Sequence, residues 1–273
     1  MLIPLLPLQT LLPLETSGHE GGGGYHKPSV EDFYFNELFG VPQFDRVIFQ
    51  ALLGAAIVIL VWLLASRKLK AVPSKGQFIS EFVYDFVRNG IARDLLGHDY
   101  RKYLPYLLGL FSFILVNNLF GQFFLFMFPT FSRVGFAYGL ALLTWVIYIG
   151  AGLKRHGLTY IKNSLLPSGV PWYLWGLIIP LEFLSNFITR PITLALRLFA
   201  NLFAGHLVVS VFVVGGAFLL TYSDNLFYNV SGGVSLLFSF AILCLELFVG
   251  ALQAYIFTVL TAQYISSSLA ESH

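Results

Sequence analysis

Charge is scarce in this chain: Asp, Glu, Lys and Arg make up 11% of its 273 residues, less than half of the roughly 25% usual in a soluble domain. So few charges cannot cover a surface that faces water, and a soluble fold is excluded. Cysteine is rarer still, with Cys244 the single one, which excludes an internal disulfide framework. Neither sign of charge is much in excess, the formal net being +2, so no nucleic-acid partner is expected. A Gly-x-x-x-x-Gly-Lys-Ser/Thr phosphate loop, a Gly-x-Ser-x-Gly nucleophile elbow and a cluster of metal ligands are all missing. The reading is therefore no cofactor, no metal and no catalytic centre of its own. What is plentiful is apolar: hydrophobic residues are 57% and aromatics 17% of the chain.

About 20 apolar residues cross a hydrocarbon core roughly 30 Å thick. Residues 47–65 form the first such run, interrupted only by Gln50, and residues 104–128 and 134–153 carry no charge. A short turn around 129–133 makes those two a hairpin. Further on, His206 is the only Asp, Glu, His, Lys or Arg between 198 and 223, and Glu246 the only one between 225 and 270. The expected fold is all-α and membrane-integral, with about five spans near 47–65, 104–128, 134–153, 191–220 and 234–268. Residues 165–181 are apolar but hold Pro167, Pro171 and Pro180, which points to a re-entrant or interfacial approach. As single helices, 191–220 and 234–268 would reach about 45 Å and about 52 Å at 1.5 Å per residue, so strong tilt or bending is expected. Gly215 and Gly216 suit either a bend or a packing surface.

Residues 76–96 place Phe78, Ile79, Phe82, Val83, Phe86, Val87, Ile91 and Leu95 at helical spacing, with Glu81, Asp85 and Arg88 elsewhere. That is the pattern of an amphipathic helix lying on the membrane surface. Lys and Arg concentrate between 66 and 103 and again at Lys154, Arg155 and Lys162, whereas Lys27, Arg46 and Arg133 are the few in the opposite loops. The positive-inside rule then puts the N-terminus outside and the C-terminus in the cytoplasm. Residues 1–38 form a polar, Gly-rich extension before a single membrane domain, 39–273. For residues 1–14 a cleaved leader and a disordered start both stay open, and His19, Glu20 and His26 around the 21–24 glycine linker are not expected to hold a metal.

An arginine at the bilayer centre costs about 2.5–3.5 kcal/mol on insertion scales, so intramembrane charges are functional candidates. Thr193, Arg197 and Asn201 share one helix face at i, i+4 and i+8. Glu182, Asn186 and Arg190 repeat that spacing upstream, and Glu246, Gly250 and Gln253 share a face at i, i+4 and i+7. His206 lies nine residues after Arg197, on the opposite side of the helix. A neutral imidazole and a carboxylate on adjacent apolar helices suit a proton relay. Arg190, beside Pro191, suits a snorkelling role, and Cys244 that of a small packing residue.

The stretch Pro191-Ile-Thr-Leu-Ala-Leu-Arg197-Leu-Phe-Ala-Asn201-Leu-Phe-Ala-Gly-His206 resembles the signature helix of the subunit a family of F-type ATP synthases. The last helix, from Gly250-Ala-Leu-Gln253 to Tyr264, and the Asn117-Asn118-Leu-Phe-Gly run resemble the same family in the right order, from about Phe39 to the end. The resemblance implies a membrane stator that couples proton flow through two half-channels to rotation of the c-ring. It also implies peripheral-stalk b subunits and lipid as partners. Arg197 matches the family's stator arginine, Asn201 its asparagine one turn on, and Gln253 its glutamine on the last helix. His206 stands where many bacterial relatives have a glutamate, and Glu246 where they have a histidine, so the pair is exchanged between helices. Glu182 matches the acid of the inner half-channel. The acidic N-terminal extension and inner basic loop favour a bacterial plasma membrane over a mitochondrial inner membrane, which the exchanged pair alone would also allow. A secondary ion transporter and a purely structural assembly subunit are the alternatives; no internal repeat supports the first.

Overall fold

The computed structural model describes residues 46–67, 74–122, 130–157, 159–165, 172–222 and 225–270. The extension 1–38, with the 1–14 segment and the glycine linker, lies outside the described residues, as do residues 123–129 of the expected hairpin. The elements run α1 (Arg46–Arg67), α2 (Lys75–Val87), a π segment (Arg88–Arg93), α3 (Asp94–Leu96), a 3-10 turn (Gly97–Asp99), α4 (Tyr100–Gln122) and α5 (Val134–His156). They continue through α6 (Thr159–Leu165), α7 (Trp175–Phe183), a second π segment (Leu184–Thr189), α8 (Arg190–Tyr222) and α9 (Leu226–Leu269). Among the described residues no strand occurs, and five helical runs are long and apolar enough to cross a membrane. The protein is an all-α, multi-pass membrane protein.

Its surface says the same. Leu60, Leu142, Leu177 and Phe248 are 56%, 59%, 71% and 62% exposed, an arrangement stable only against lipid. Since lipid is as apolar as leucine, helices must associate through close packing and buried polar contacts rather than through exclusion of water. Small residues make this approach: Ala137, Ala141, Ala195, Ala254 and Ala262 are wholly buried. The core runs through Leu107, Ile114, Tyr148, Leu194, Leu198, Leu202, Phe257 and Ile265, where α9 lies against α4, α5 and α8. Helix α1 is peripheral and rests on α4, with Trp62 Nε1 donating to Ser112 Oγ at 3.1 Å and Asn117 filling the space beside Gly54.

Helix α2 starts at a Ser74 cap, whose hydroxyl accepts from Gln77 N. Its apolar side divides in two. Phe78, Ile79 and Phe82 point outward, while Val87 and Ile91 are fully buried. The π segment carries the helix on to Gly97, whose φ of +54° is open only to a residue without Cβ. There the chain turns into α4, so the amphipathic helix folds back against the span it precedes.

Two expectations need correction. Helical structure begins at Trp175 rather than at Pro191, and it runs on to Tyr222. Within the described part of 165–181, residues 175–181 are therefore helix, with Pro180 inside it, continuous with the run that follows. Proline in a helix interior removes one hydrogen bond and crowds the carbonyl four residues back. The π segment Leu184–Thr189 ends directly before Arg190, where α8 begins, and its wider turn lies where Pro191 needs room.

Helices α8 and α9, of 33 and 44 residues, form an antiparallel pair. Asn201 meets Gln253 and Ser235 meets Phe212 across it. Forty-four residues extend about 66 Å, and apolar side chains are exposed all along 226–255. Keeping them in a core of roughly 30 Å requires steep tilt. The Gly216 alternative resolves to packing. A Cβ at Gly232 would stand 2.8 Å from Leu220 Cγ and 2.9 Å from the Gly216 carbonyl oxygen. Gly232→Val should therefore destabilise by about 1–3 kcal/mol through overpacking, read as a lowered thermal unfolding midpoint in detergent. Gly233→Val should leave the midpoint unchanged, because nothing lies within 4 Å of a Cβ there.

Candidate functional site

The polar residues inside the apolar helices gather at three levels. At the middle, Thr193, Arg197 and Asn201 face outward from α8, together with Leu196, Ala200, Ala204 and Val208. Among the described residues no hydrogen bond or ion pair holds the Arg197 side chain. It stands on the exposed face of a helix in which His206, half a turn out of phase, is buried. Ala200 and Ala204 on this face leave room for another helix to approach. Asn201 turns inward from its edge, and its Nδ2 donates to Gln253 Oε1 at 2.9 Å. Gln253 is 1% exposed, so this bond joins the exposed stripe to the protein interior.

From Gln253 a line of buried polar groups climbs α9 away from the basic end of the bundle. Asn118 Nδ2 of α4 donates to the Gly250 carbonyl at 2.8 Å. One turn further Glu246 is buried, its carboxyl against the backbone of Gly205: a Cβ on that glycine would lie 3.0 Å from Oε1. Gly205 precedes His206, so the structure brings Glu246 to the His206 level of α8. Gln122 of α4 adjoins the same carboxyl without closing a hydrogen bond. Among the described residues, Glu246 Oε1 and Oε2, Gln122 Nε2, Asn118 Oδ1 and Gln253 Nε2 are buried with no hydrogen-bond partner. Each such atom costs about 1–3 kcal/mol if left dry. Five in one line make a polar path of the kind that water can satisfy. Asn118 and Gln122 join this polar line, a placement the sequence reading did not assign to them. Their i, i+4 spacing inside an uncharged span was the available signal.

The third level lies at the basic end. Asn186 Nδ2 donates to Glu182 Oε2 at 2.9 Å and to the Ser164 carbonyl at 3.1 Å. Tyr148 OH donates to the Asn186 carbonyl at 2.8 Å. Arg190 Nη1 reaches Ser267 Oγ at 3.3 Å, and its guanidinium lies 5.2 Å from the Tyr264 ring centre. Glu182 and Arg190 are thus on the same side of Arg197 along the chain, opposite to His206. Among the described residues no group of His, Cys, Asp or Glu could hold a metal.

The fold and these groups define a multi-pass helical membrane protein that carries charged and polar side chains within its apolar spans. Comparison with known proteins identifies which kind. The family model described as ATP synthase A chain matches residues 47–266. A protein of a Nocardioides species named ATP synthase subunit a is 43% identical over 92% of this chain and 96% of its own length. Proteins of the same name from Pseudarthrobacter chlorophenolicus and Streptomyces lividans are 41% and 35% identical, each covering 96% of this chain, and 98% and 95% of their own. The chain belongs to the ATP synthase subunit a family. It is a membrane-sector subunit, not the catalytic one, and its work is ion transport tied to ATP synthesis.

Proposed function

We propose that this subunit is the proton-conducting stator of an F-type ATP synthase, with Arg197 at the contact with the c-ring. The observation that carries the reading is the outward Arg197, which among the described residues makes no hydrogen bond or ion pair and shares its face with Ala200 and Ala204. A ring carboxylate facing lipid stays protonated, because an isolated charge there is too costly. Opposite Arg197 the ionised form is favoured, so the proton is released there. Arginine fits the post because it holds its charge at any working pH, which also blocks a direct leak between two half-channels. The line from Gln253 to Glu246 and His206 serves as the outer half-channel, and the Glu182–Asn186 cluster as the inner one. Each proton crossing supplies about 2.3 kcal/mol per 100 mV.

In this reading the chain sits in a bacterial plasma membrane with its C-terminus and basic end in the cytoplasm, as the Lys and Arg bias favours. Peripheral-stalk b subunits hold it against the turning ring. The test is a disulfide scan in assembled complexes. With Cys244, which is exposed, first changed to Ser, Ala200→Cys and Ala204→Cys should cross-link to a cysteine beside the ring carboxylate and stop ATP hydrolysis until reduced. Leu60→Cys, on the far side of α1, should not. Equal cross-linking from Leu60→Cys, or none from the two α8 positions, would remove the ring from this face.

A further inference from the structure

Helices α2 and α4, with the π segment between them, line an open cavity of about 450 Å³ at the basic end of the bundle. It is separate from the polar lines described above. Its polar wall is formed by Arg88 and Arg101 with Tyr84 and Tyr100, and its apolar floor includes Leu104 and Leu108. The two cations are held by aromatic rings. Arg88 lies 5.9 Å from the Tyr84 ring centre and Arg101 5.9 Å from that of Tyr100. The Tyr100 hydroxyl accepts from Arg101 Nε at 3.3 Å and adjoins the Arg88 guanidinium as well. The shared phenol, whose pKa the two guanidinium groups pull down to about 8, and Asp85 offset only part of their charge. Among the described residues no carboxylate lines the cavity, and the nearest acid to Arg88, Asp85, stands 3.9 Å away on the exposed side of α2.

Depth decides what such a site can take. Phe78, Ile79 and Phe82 of α2 are 60%, 64% and 66% exposed, so α2 lies with these side chains in the acyl region and Arg88, which opens the π segment, at headgroup height. Leu104 and Leu108 open the membrane-spanning course of α4. The cavity thus offers two forked cations above and an apolar strip leading down into the bilayer. Guanidinium groups bind phosphate oxygens in pairs, and basic pockets between helices at the membrane edge suit anionic headgroups. We propose that this cavity seats the phosphate of an anionic phospholipid, with one acyl chain lying along Leu104 and Leu108. A zwitterionic lipid brings its own ammonium toward the two arginines and is disfavoured. A free phosphate gains nothing from the leucines. The bound lipid would fix α2 and the π segment against α4.

The test uses the assembled ATP synthase in nanodiscs containing a phosphatidylglycerol probe with a diazirine in its acyl chain. Mass spectrometry after illumination should find the label on α4 around Leu104 and Leu108. A phosphatidylcholine probe with the same chain should label these positions at least about tenfold less, on the scale of two basic contacts at a charged surface. Arg88→Gln with Arg101→Gln should lower the phosphatidylglycerol label to the phosphatidylcholine level, while Arg88→Lys with Arg101→Lys should keep most of it. Excess inorganic phosphate should not compete. Equal labelling by the two probes on the unaltered complex would overturn the proposal without recourse to any variant. So would unchanged labelling in the double Gln variant, or displacement by inorganic phosphate, which would make the cavity a site for a free anion.

Discussion

Inverted membrane vesicles carrying Arg197→Ala are expected to show no ATP-driven acidification and no ATP synthesis, with the subunit still inserted and assembled. The two halves of that result have separate causes. Among the described residues Arg197 makes no hydrogen bond or ion pair, so its removal breaks nothing inside this chain. Alanine is also the better helix former, and deleting a charge from an apolar helix removes an insertion cost of about 2.5–3.5 kcal/mol. The folded subunit should therefore be present in normal amount. Coupling should vanish, because an uncharged face no longer favours the ionised ring carboxylate. Arg197→Lys should fail as well. A point ammonium lacks the planar fork and can itself lose its proton in a desolvated setting. Acidification close to the unaltered level with Arg197→Ala would end the stator reading, whereas loss of the subunit from the membrane would show that the residue holds the fold.

The architecture was largely legible in the sequence because lipid imposes one rule on all surfaces: apolar runs of sufficient length become helices that cross. Phase was legible too. Nine residues at 100° each place His206 opposite Arg197, and the structure buries the first and exposes the second. The start of the fourth crossing run was not. Pro191 has the usual signature of a helix start, yet helical structure runs through it from the π segment before it. Nor could pattern show that Gln122 and Asn118 join Glu246 and Gly250. Asn118 and Gly250 are 132 residues apart, and their meeting follows from how α4 crosses α9. The division of the α2 apolar side between lipid and core depends on the same crossing. A hydrophobic stripe states that a face avoids water, not which apolar surroundings it meets.

His206 and Glu246 should behave as one unit, and their exchange gives the second large effect. Glu246 is 5% exposed and His206 9%. The carboxyl rests on Gly205, the neighbour of His206, where a Cβ would come within 3.0 Å of Oε1. Both carboxyl oxygens are without a hydrogen-bond partner among the described residues. A proton passed between the two groups along the polar path would couple their proton affinities, and in the relay reading their substitutions are then non-additive. His206→Ala and Glu246→Ala are each expected to slow proton flux by about tenfold, a barrier increase of about 1.4 kcal/mol. Water along the polar path still carries some protons, so rotation continues. The double alanine variant should be little worse than either single one. His206→Glu alone sets two acids against each other and should be slower than His206→Ala. Adding Glu246→His to it restores one acid and one imidazole on the same two helices, and flux should recover most of the loss. Flux in vesicles of equal subunit content compares the five variants directly. Additive losses in the double alanine variant, or an exchange variant no faster than His206→Glu, would make the two residues independent and leave the polar path to the amides of Asn118, Gln122 and Gln253.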